Sequence, residues 1–483
     1  MNFSIIRYLC GQVLRFESAF MILSLVVAFI YGEYGSALIF SGTILLMLAL
    51  SFLLSAKKPA NTSFYAKEGV VAVSLSWIMI SFFGAIPFFA SGAIPSIVDS
   101  LFESVSGFTT TGASILTEVE SLDKSILFWR SFTHWIGGMG VLVFVMAILP
   151  MSGADPLHLM RAESPGPTTQ KLVPKARETA KILYTIYIGM TFLEIIFLLA
   201  GGMSLYDSVV HTFGTAGTGG FSVKNASIGA YDSVYFEVVI TVFMILFGVN
   251  FSAYFLLLAG KFKRFITFEE LRVYLGIIVV AIIVIVINTT GLVYQNMGDS
   301  LRYSSFQVAS IMTTTGFTTA NFNEWPTLSR FVLVFLMFIG ASAGSTGGGI
   351  KVSRYIIMLK TLRREAMHIL HPQAVKIIKL DTMPVPEEVI RGTGIFMLTF
   401  LGITAVSILL VSMNGFSMET SASAVAACIN NIGPGLGIVA PVGNYADFTV
   451  FSKIVLFLNM LVGRLEVYPM LLLISPAIWH KKA

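Results

Sequence analysis

The sequence predicts an all-α polytopic membrane protein: four pseudo-symmetric helix, re-entrant loop, helix repeats around one central pore, behind two extra N-terminal helices. Three observations carry that expectation. Of 483 residues, 55% are hydrophobic and 12% charged, where soluble domains carry roughly 25% charged residues. About ten apolar runs approach the roughly 20 residues that cross a bilayer. A polar, glycine-containing run recurs four times between such spans, as "SGFTTTGAS" from Ser106, "TAGTGGFS" from Thr215, "MTTTGFTT" from Met312 and "NNIGPGLG" from Asn430.

In chain order the apolar runs fall at 19–31, 36–56, 70–90, 128–150, 182–203, 234–260, 271–293, 327–349, 394–413 and 449–478. The first lacks a small-residue cleavage site and leads at once into another span, so it reads as a retained helix, not a signal peptide. Basic residues gather in alternate connections: Lys57 and Lys58; Arg161, Lys171, Lys175, Arg177 and Lys181; Lys261, Lys263, Arg264 and Arg272; Arg354 to Lys379; Lys481 and Lys482. The positive-inside rule turns these connections to the cytoplasm. Arg7 and Arg15 put the N-terminus there too, and an even number of spans returns the C-terminus to the same side. The expected location is a bacterial inner membrane with both termini cytoplasmic. The net charge of +5 is dispersed and has no aromatic-studded basic patch, so no nucleic acid is expected. Cys10 and Cys428 lie far apart and imply neither a disulfide nor a metal framework.

Aligning the chain on Gly112, Gly220, Gly316 and Gly433 puts a segment of about a dozen residues, too short to span, before each glycine. "DSLFESVSGFTTTGAS" from Asp99 matches "DSVVHTFGTAGTGGFS" from Asp207 with the Asp at the same offset. "SSFQVASIMTTTGFTT" from Ser304 repeats the Thr-Gly core, and "SASAVAACINNIGPGL" from Ser421 keeps the short helix without the threonines. The expected organisation is an N-terminal helix pair over 1–66, then repeats over 67–155, 156–265, 266–380 and 381–483, with a broken second helix in the third.

A polar strand at membrane depth is tolerated only inside protein or along a water-filled passage, because each unsatisfied backbone group costs several kcal/mol in lipid. Four such strands meeting on an axis satisfy that demand. The half-helices then aim their C-terminal ends, with partial negative charge, at the axis and favour cations. Glycine lets successive carbonyls turn to one side, and a carbonyl ring can replace a cation's hydration shell. The plain alternative for one Thr/Gly run is an extracellular loop or a small-residue packing surface. Four runs, each after a half-helix and on the face opposite the basic loops, favour the pore.

These motifs, with "WRSFTHWIGGMGVLV" from Trp129, "ASAGSTGGGIKVSR" from Ala341, "NNIGPG" and "GRLEVYP" from Gly463, resemble the Trk/Ktr/HKT superfamily of potassium transporters over essentially the whole chain. Within it the likeness is greatest to the bacterial TrkH membrane subunits. The resemblance implies one chain of four M1-P-M2 repeats, each loop supplying a quarter of a K+ filter. Carried onto this sequence, the filter residues are Thr110, Thr111 and Gly112, Gly219 and Gly220, Thr315 and Gly316, and Ile432 and Gly433. None of the runs has the full TVGYG form, which implies a looser filter than that of true potassium channels. The resemblance also implies a gate beneath the filter, formed by Ala343, Gly344, Ser345, Thr346, Gly347, Gly348 and Gly349 with Arg464 beside it. From the residues alone, that segment reads equally as a span ending at Gly349 followed by an amphipathic helix. The implied partners are a cytosolic nucleotide-binding regulatory subunit of the TrkA type and a second copy of the chain. The implied cargo is K+, with no prosthetic group.

Arg464 lies mid-way along the last apolar run, where a charge marks a functional site by default; its plain alternative is a packing pair with Glu466. His134, at the outer end of a span with no second His nearby, reads as a packing or capping residue. Asp99, Asp207 and Asp299 read as dipole partners of the half-helix starts. The basic stretch Leu359 to Lys379 reads as a solvated or headgroup-facing surface, and by resemblance as the regulator's dock. A membrane-embedded enzyme finds no support: HExxH, paired intramembrane carboxylates and a nucleophile with a base in reach are all missing. An H+- or Na+-coupled transporter is the standing alternative; it needs titratable groups on the path, and the four runs contain none.

Overall fold

A computed structural model describes residues 1–57, 59, 65–138, 140, 176–373, 376–381 and 383–479. Lys58, Arg161, Lys171, Lys175, Lys481 and Lys482 lie outside the described residues, as do positions 139 and 141–150 of the fourth apolar run.

Two long helices, Phe3–Tyr31 and Tyr34–Ser55, form the N-terminal pair. They turn at Gly32, whose φ of 72° is left-handed. Ser51 Oγ donates to Gly11 O at 2.7 Å, so the absent side chain at Gly11 sets how closely the two helices approach. The first helix begins well before the apolar run that marks it in the sequence. Its early turns bury Ile5, Ile6, Leu9, Cys10, Val13 and Leu14 against the first repeat, and that packing carries the helix back past Arg7 and Arg15.

Each repeat has an outer helix, a half-helix, a glycine strand and an inner helix. The outer helices are Ala66–Ala90, Ala176–Ala200, Glu269–Thr289 and Glu387–Ser412. The half-helices are Ile97–Phe108, Leu205–Gly217, Met297–Met312 and Met418–Ile429. All four start alike. The side chains of Ser96, Ser204, Asn296 and Ser417 accept from the backbone N–H three residues on, at Asp99, Asp207, Asp299 and Thr420, at 2.8–3.3 Å. These N-caps satisfy one otherwise unpaired donor each. The three aspartates sit in the first turn, where the helix dipole favours them.

The inner helices differ from the expectation. They run Lys124–Gly138, Val234–Phe247, Thr327–Ile339 and Val450–Arg464, each 13 to 15 residues. At 1.5 Å per residue the second, third and fourth cover about 20 Å each, well short of a bilayer core; most of the residues after Gly138 that the sequence gives to the first lie outside the described residues. The sequence marks a break only in the third repeat, but the second bends by 92° into Phe251–Leu258 and the fourth by 120° into Tyr468–Ile474. Asn250 starts the continuation in the second by capping Ser252 N, and Glu466 and Val467 both take left-handed φ, 55° and 70°, in the fourth. Hydropathy counts apolar length and is blind to backbone direction, so these segments read as straight spans. Among the described residues six single helices are long and apolar enough to cross a membrane, or eight with each bent pair taken as one.

After the third break comes the helix Val352–Leu370, then a short antiparallel hairpin pairing Lys379–Leu380 with Met383–Pro384. Lys360 ties this helix to Glu269 at 2.6 Å, and Glu269 in turn accepts from Asp381 N. Much of the basic stretch is therefore helix pinned to the third outer helix, while Leu359, Leu362, Ile369 and Leu370 stay exposed.

Candidate functional site

The four glycine strands share one backbone pattern. Thr110, Thr218, Thr314 and Asn431 have φ of 56°, 57°, 61° and 56°. Two residues later, Gly112, Gly220, Gly316 and Gly433 have φ of 76°, 73°, 84° and 93°. A β-branched residue at positive φ is an outlier that the surrounding structure must enforce. Three threonines hold it at equivalent positions. The conformation is thus built four times from different sequences, which ties it to position and not to one local motif.

The strands close on one another. A Cβ placed on Gly112 would lie 1.9 Å from Gly219 O, on Gly220 2.1 Å from Thr315 O, on Gly316 2.2 Å from Ile432 O, and on Gly433 2.8 Å from Thr111 O. Each ring glycine therefore abuts the carbonyl that precedes the ring glycine of the next repeat, and the fourth returns to the first. The four glycines share a cavity of about 160 Å³ with Arg130, Lys224, Asn444 and Tyr445. Thr110, Thr111, Gly112, Gly219, Gly220, Thr315, Gly316, Ile432 and Gly433 all stand on these four strands. Among the described residues there is no group of His, Cys, Asp or Glu able to hold a metal; what the ring offers a cation is main-chain oxygen.

Behind the ring the strands are braced. Thr109 Oγ1 meets Thr111 Oγ1 at 2.8 Å, and Thr313 Oγ1 meets Thr315 Oγ1 at 2.7 Å. Asn431 Nδ2 donates to Thr111 Oγ1 at 2.9 Å, joining fourth strand to first. Tyr445 OH donates to Gly433 O at 2.7 Å while Tyr445 N donates to Ser114 O at 2.8 Å. In the first half-helix, buried Glu103 accepts from Ser114 Oγ, Ile115 N and Arg130 Nε, the last at 2.6 Å. Arg130 goes on to donate to Ser222 O of the second strand at 3.1 Å. His211, nine residues before Gly220 as Glu103 is before Gly112, bonds Ser222 Oγ at 2.9 Å. Sequence reasoning missed Tyr445 and this use of Arg130. A signal for the half-helix residues was present: Glu103, His211 and Gln307 put a polar group at the same offset in otherwise apolar helices.

Around the rim each inner helix is clasped to the next half-helix. Tyr206 OH donates to Lys124 O at 2.7 Å, and Arg302 pairs with Glu237 at 2.7 Å. Arg330 pairs with Glu419 at 2.9 Å, and Lys453 with Asp99 at 2.7 Å. Asp99 is therefore a clasp as well as a dipole partner.

On the ring's other side lies the break of the third inner helix. From Gly340, φ 68°, to Lys351 the chain is non-helical, which decides against a span continuing to Gly349. Gly348 N donates to Thr314 Oγ1 at 2.6 Å, and a Cβ on Gly348 would lie 2.7 Å from Asn430 O, so this loop presses on the third and fourth strands. Ser342 N donates to Gly248 O, Phe251 N to Gly344 O, and Ala343 N to Glu270 Oε1, at 2.8–3.1 Å. Thr346 O accepts from Arg464 Nη1 at 2.9 Å, and the Lys351 ammonium donates back to Gly347 O and Gly348 O.

Arg464 ends the helix Val450–Arg464, at the bend mid-way along the last apolar run. Besides Thr346 O it donates to Gly137 O at 2.5 Å and Gly138 O at 2.9 Å, the C-terminal carbonyls of the first inner helix. Its sequence-proposed partner Glu466 pairs with Arg354 at 2.5 Å, because the left-handed turn at Glu466 swings that carboxylate toward Val352–Leu370. His134 is also displaced from its expected place. It lies in the second half of Lys124–Gly138, fully buried, with its ring behind the second strand.

Fold and site together define a multi-pass helical membrane protein whose four repeats converge on one backbone-lined ring. A model of the TrkH family, described as a cation transport protein, matches residues 35–481. The Trk system potassium uptake protein TrkH of Salmonella typhimurium is 37% identical, with all of both chains aligned, and that of Escherichia coli K12 is equally so. The crystal structure of the potassium transporter TrkH from Vibrio parahaemolyticus superposes with a TM-score of 0.88 at 32% identity, covering 99% of this chain and 100% of that one. The chain belongs to the TrkH family of cation transport proteins.

Proposed function

We propose that this chain is the membrane subunit of a bacterial potassium uptake system, conducting K+ through the ring of four strands in a channel-like manner. The observation that carries this reading is the closure of the ring, in which every glycine packs on the carbonyl of the next strand. Carbonyls held this way replace water around a cation, and the half-helix C-termini add favourable potential. The sister proteins named for potassium uptake, aligned end to end, supply the ion.

The loop Gly340–Lys351 is the gate in this reading. It lies under the ring, has few apolar anchors and is held by polar contacts from four other elements. Glycines at 340, 344, 347, 348 and 349 allow it to absorb large backbone changes. The partner that moves it is a cytosolic nucleotide-binding subunit of the TrkA type, docking on the basic face near Val352–Leu370. The chain works as a homodimer in the inner membrane, with its glycine strands on the outside and both termini in the cytoplasm. A second reading, H+- or Na+-coupled K+ transport, draws on the buried intramembrane carboxyls Glu17 and Glu194.

Purified protein in liposomes tests the reading, with flux of K+, Rb+, Cs+, Na+ and Li+ measured down single-cation gradients. Channel-like conduction predicts K+ flux without an H+ or Na+ gradient and in preference to Na+. Flux that appears only with such a gradient assigns the coupled mechanism, and no preference for K+ rejects the filter.

A further inference from the structure

The second strand departs from its neighbours. Three positions before the ring glycine the strands read Thr109, Gly217, Thr313 and Asn430; one position before, Thr111, Gly219, Thr315 and Ile432. The first and third strands are thus backed by a pair of threonine hydroxyls in contact, and the second has two glycines in their place. The missing side chains are replaced from another repeat. A Cβ on Gly219 would lie 2.3 Å from His134 Nδ1 and 2.4 Å from Cγ of the same ring, and a Cβ on Gly217 would lie 2.2 Å from His134 O. Gly219 carries no positive φ, so its lack of a side chain answers to this ring and not to backbone conformation.

The imidazole is bonded at both nitrogens. Nδ1 is 2.7 Å from Gly107 O, at the end of the first half-helix, and Nε2 accepts from Phe221 N at 3.2 Å, just past Gly220. A carbonyl can only accept and an amide N–H can only donate, so the ring is neutral with its proton on Nδ1. Phe221 packs on the ring at 4.1 Å between centroids, and the Arg130 guanidinium lies 3.5 Å from the same phenyl centroid. Both sides of Gly219 and Gly220 are thereby fixed by the first inner helix.

We propose that His134 is a positioning residue for cation discrimination: it stands in for the paired threonines of the other strands and sets where the Gly219 and Gly220 carbonyls lie in the ring. The inference rests on the filter reading given above. It assigns to one side chain, outside the four glycine runs, control of a quarter of the ring. The acceptor at Nε2 matters most, since without it the Phe221 amide is buried with no partner and the strand is free to shift.

The test uses the full chain in liposomes, with the K+/Na+ flux ratio and the Tm measured for the parent and for His134→Leu, His134→Gln and His134→Asn. Leu fills the space without an acceptor and is expected to lower the ratio roughly tenfold, equivalent to about 1.4 kcal/mol, in protein that still purifies folded. Gln returns an acceptor near the Nε2 position and is expected to hold the ratio within about twofold of the parent. If Leu prevents folding, Asn, which keeps the donor to Gly107 and withdraws the acceptor from Phe221, is expected to show the same loss. A folded Leu or Asn variant with the parental ratio overturns the inference while the filter reading stands. So does a Gln variant as impaired as Leu. A parent with no K+ preference overturns the filter reading and this inference with it.

Discussion

The ring and the loop beneath it contain the same kinds of residue, glycine with Ser and Thr, but are held in opposite ways. Every ring strand is restrained by at least one other repeat: Gly112 by Gly219, Gly220 by Thr315, Gly316 by Ile432 and Gly433 by Thr111, with Asn431 on Thr111 and Arg130 on Ser222 besides. The rim clasps follow the same circle, from Lys124–Tyr206 round to Lys453–Asp99. Restraints that close on themselves leave no free end from which movement can start. The loop Gly340–Lys351 instead joins two helix ends, and its polar ties to the rest of the protein run separately to Gly248 and Phe251, Glu270, Thr314 and Arg464. Composition alone does not make a segment rigid or mobile; what matters is whether its restraints close on themselves.

The largest effect is expected where the ring's bracing is cut at a charge. Arg130→Ala leaves Glu103 buried and unpaired, and breaking one side of a buried pair costs about 3–5 kcal/mol. Thermal unfolding should show a clear fall in Tm together with lost K+ preference. A variant with parental Tm and parental selectivity would mean that the pair is not what holds the first two strands together.

Next comes the ring itself. Gly112→Ser puts a Cβ 1.9 Å from Gly219 O at a φ of 76°, so the first and second strands must separate. The K+/Na+ flux ratio should fall, and an unchanged ratio in folded protein removes Gly112 from the filter.

On the loop side the effect should be smaller and of another kind. Arg464→Ala removes a guanidinium that anchors Thr346 to the first inner helix. K+ flux is expected to rise several-fold, since about 1 kcal/mol from a barrier is about fivefold in rate, with the K+/Na+ preference nearly intact. Lower flux in a folded variant makes Arg464 a packing residue only. Glu466→Gln made alongside should report on Arg354 instead, because the two charges of "GRLE" have separate partners.

The contrast also marks what the sequence could tell. The half-helices, the four strands and the third break were legible because each leaves a local trace: a cap, a glycine at a fixed offset, a run of small residues. The bends after Phe247 and Arg464 leave only short traces, Asn250 in one and Arg464, Glu466 and Pro469 in the other, inside runs whose hydropathy still passes for a span, and the left-handed turn falls on Glu466 and Val467, not on glycine. The bracing was illegible for another reason. Tyr445 to Ser114 and Asn431 to Thr111 join residues more than 300 positions apart, and only the closed ring brings them together. Arg464 was found by its depth in an apolar run, but its partners are backbone carbonyls, which no residue type announces.

Deleting Ser345 to Gly348 tests the division of labour most directly. K+ and Na+ flux through the deletion and the parent would be compared at equal reconstitution and without a regulatory partner. A gate beneath a separately braced filter predicts higher K+ flux with an unchanged K+/Na+ ratio. Equal flux in the two proteins, or higher flux with the K+ preference lost, would contradict it.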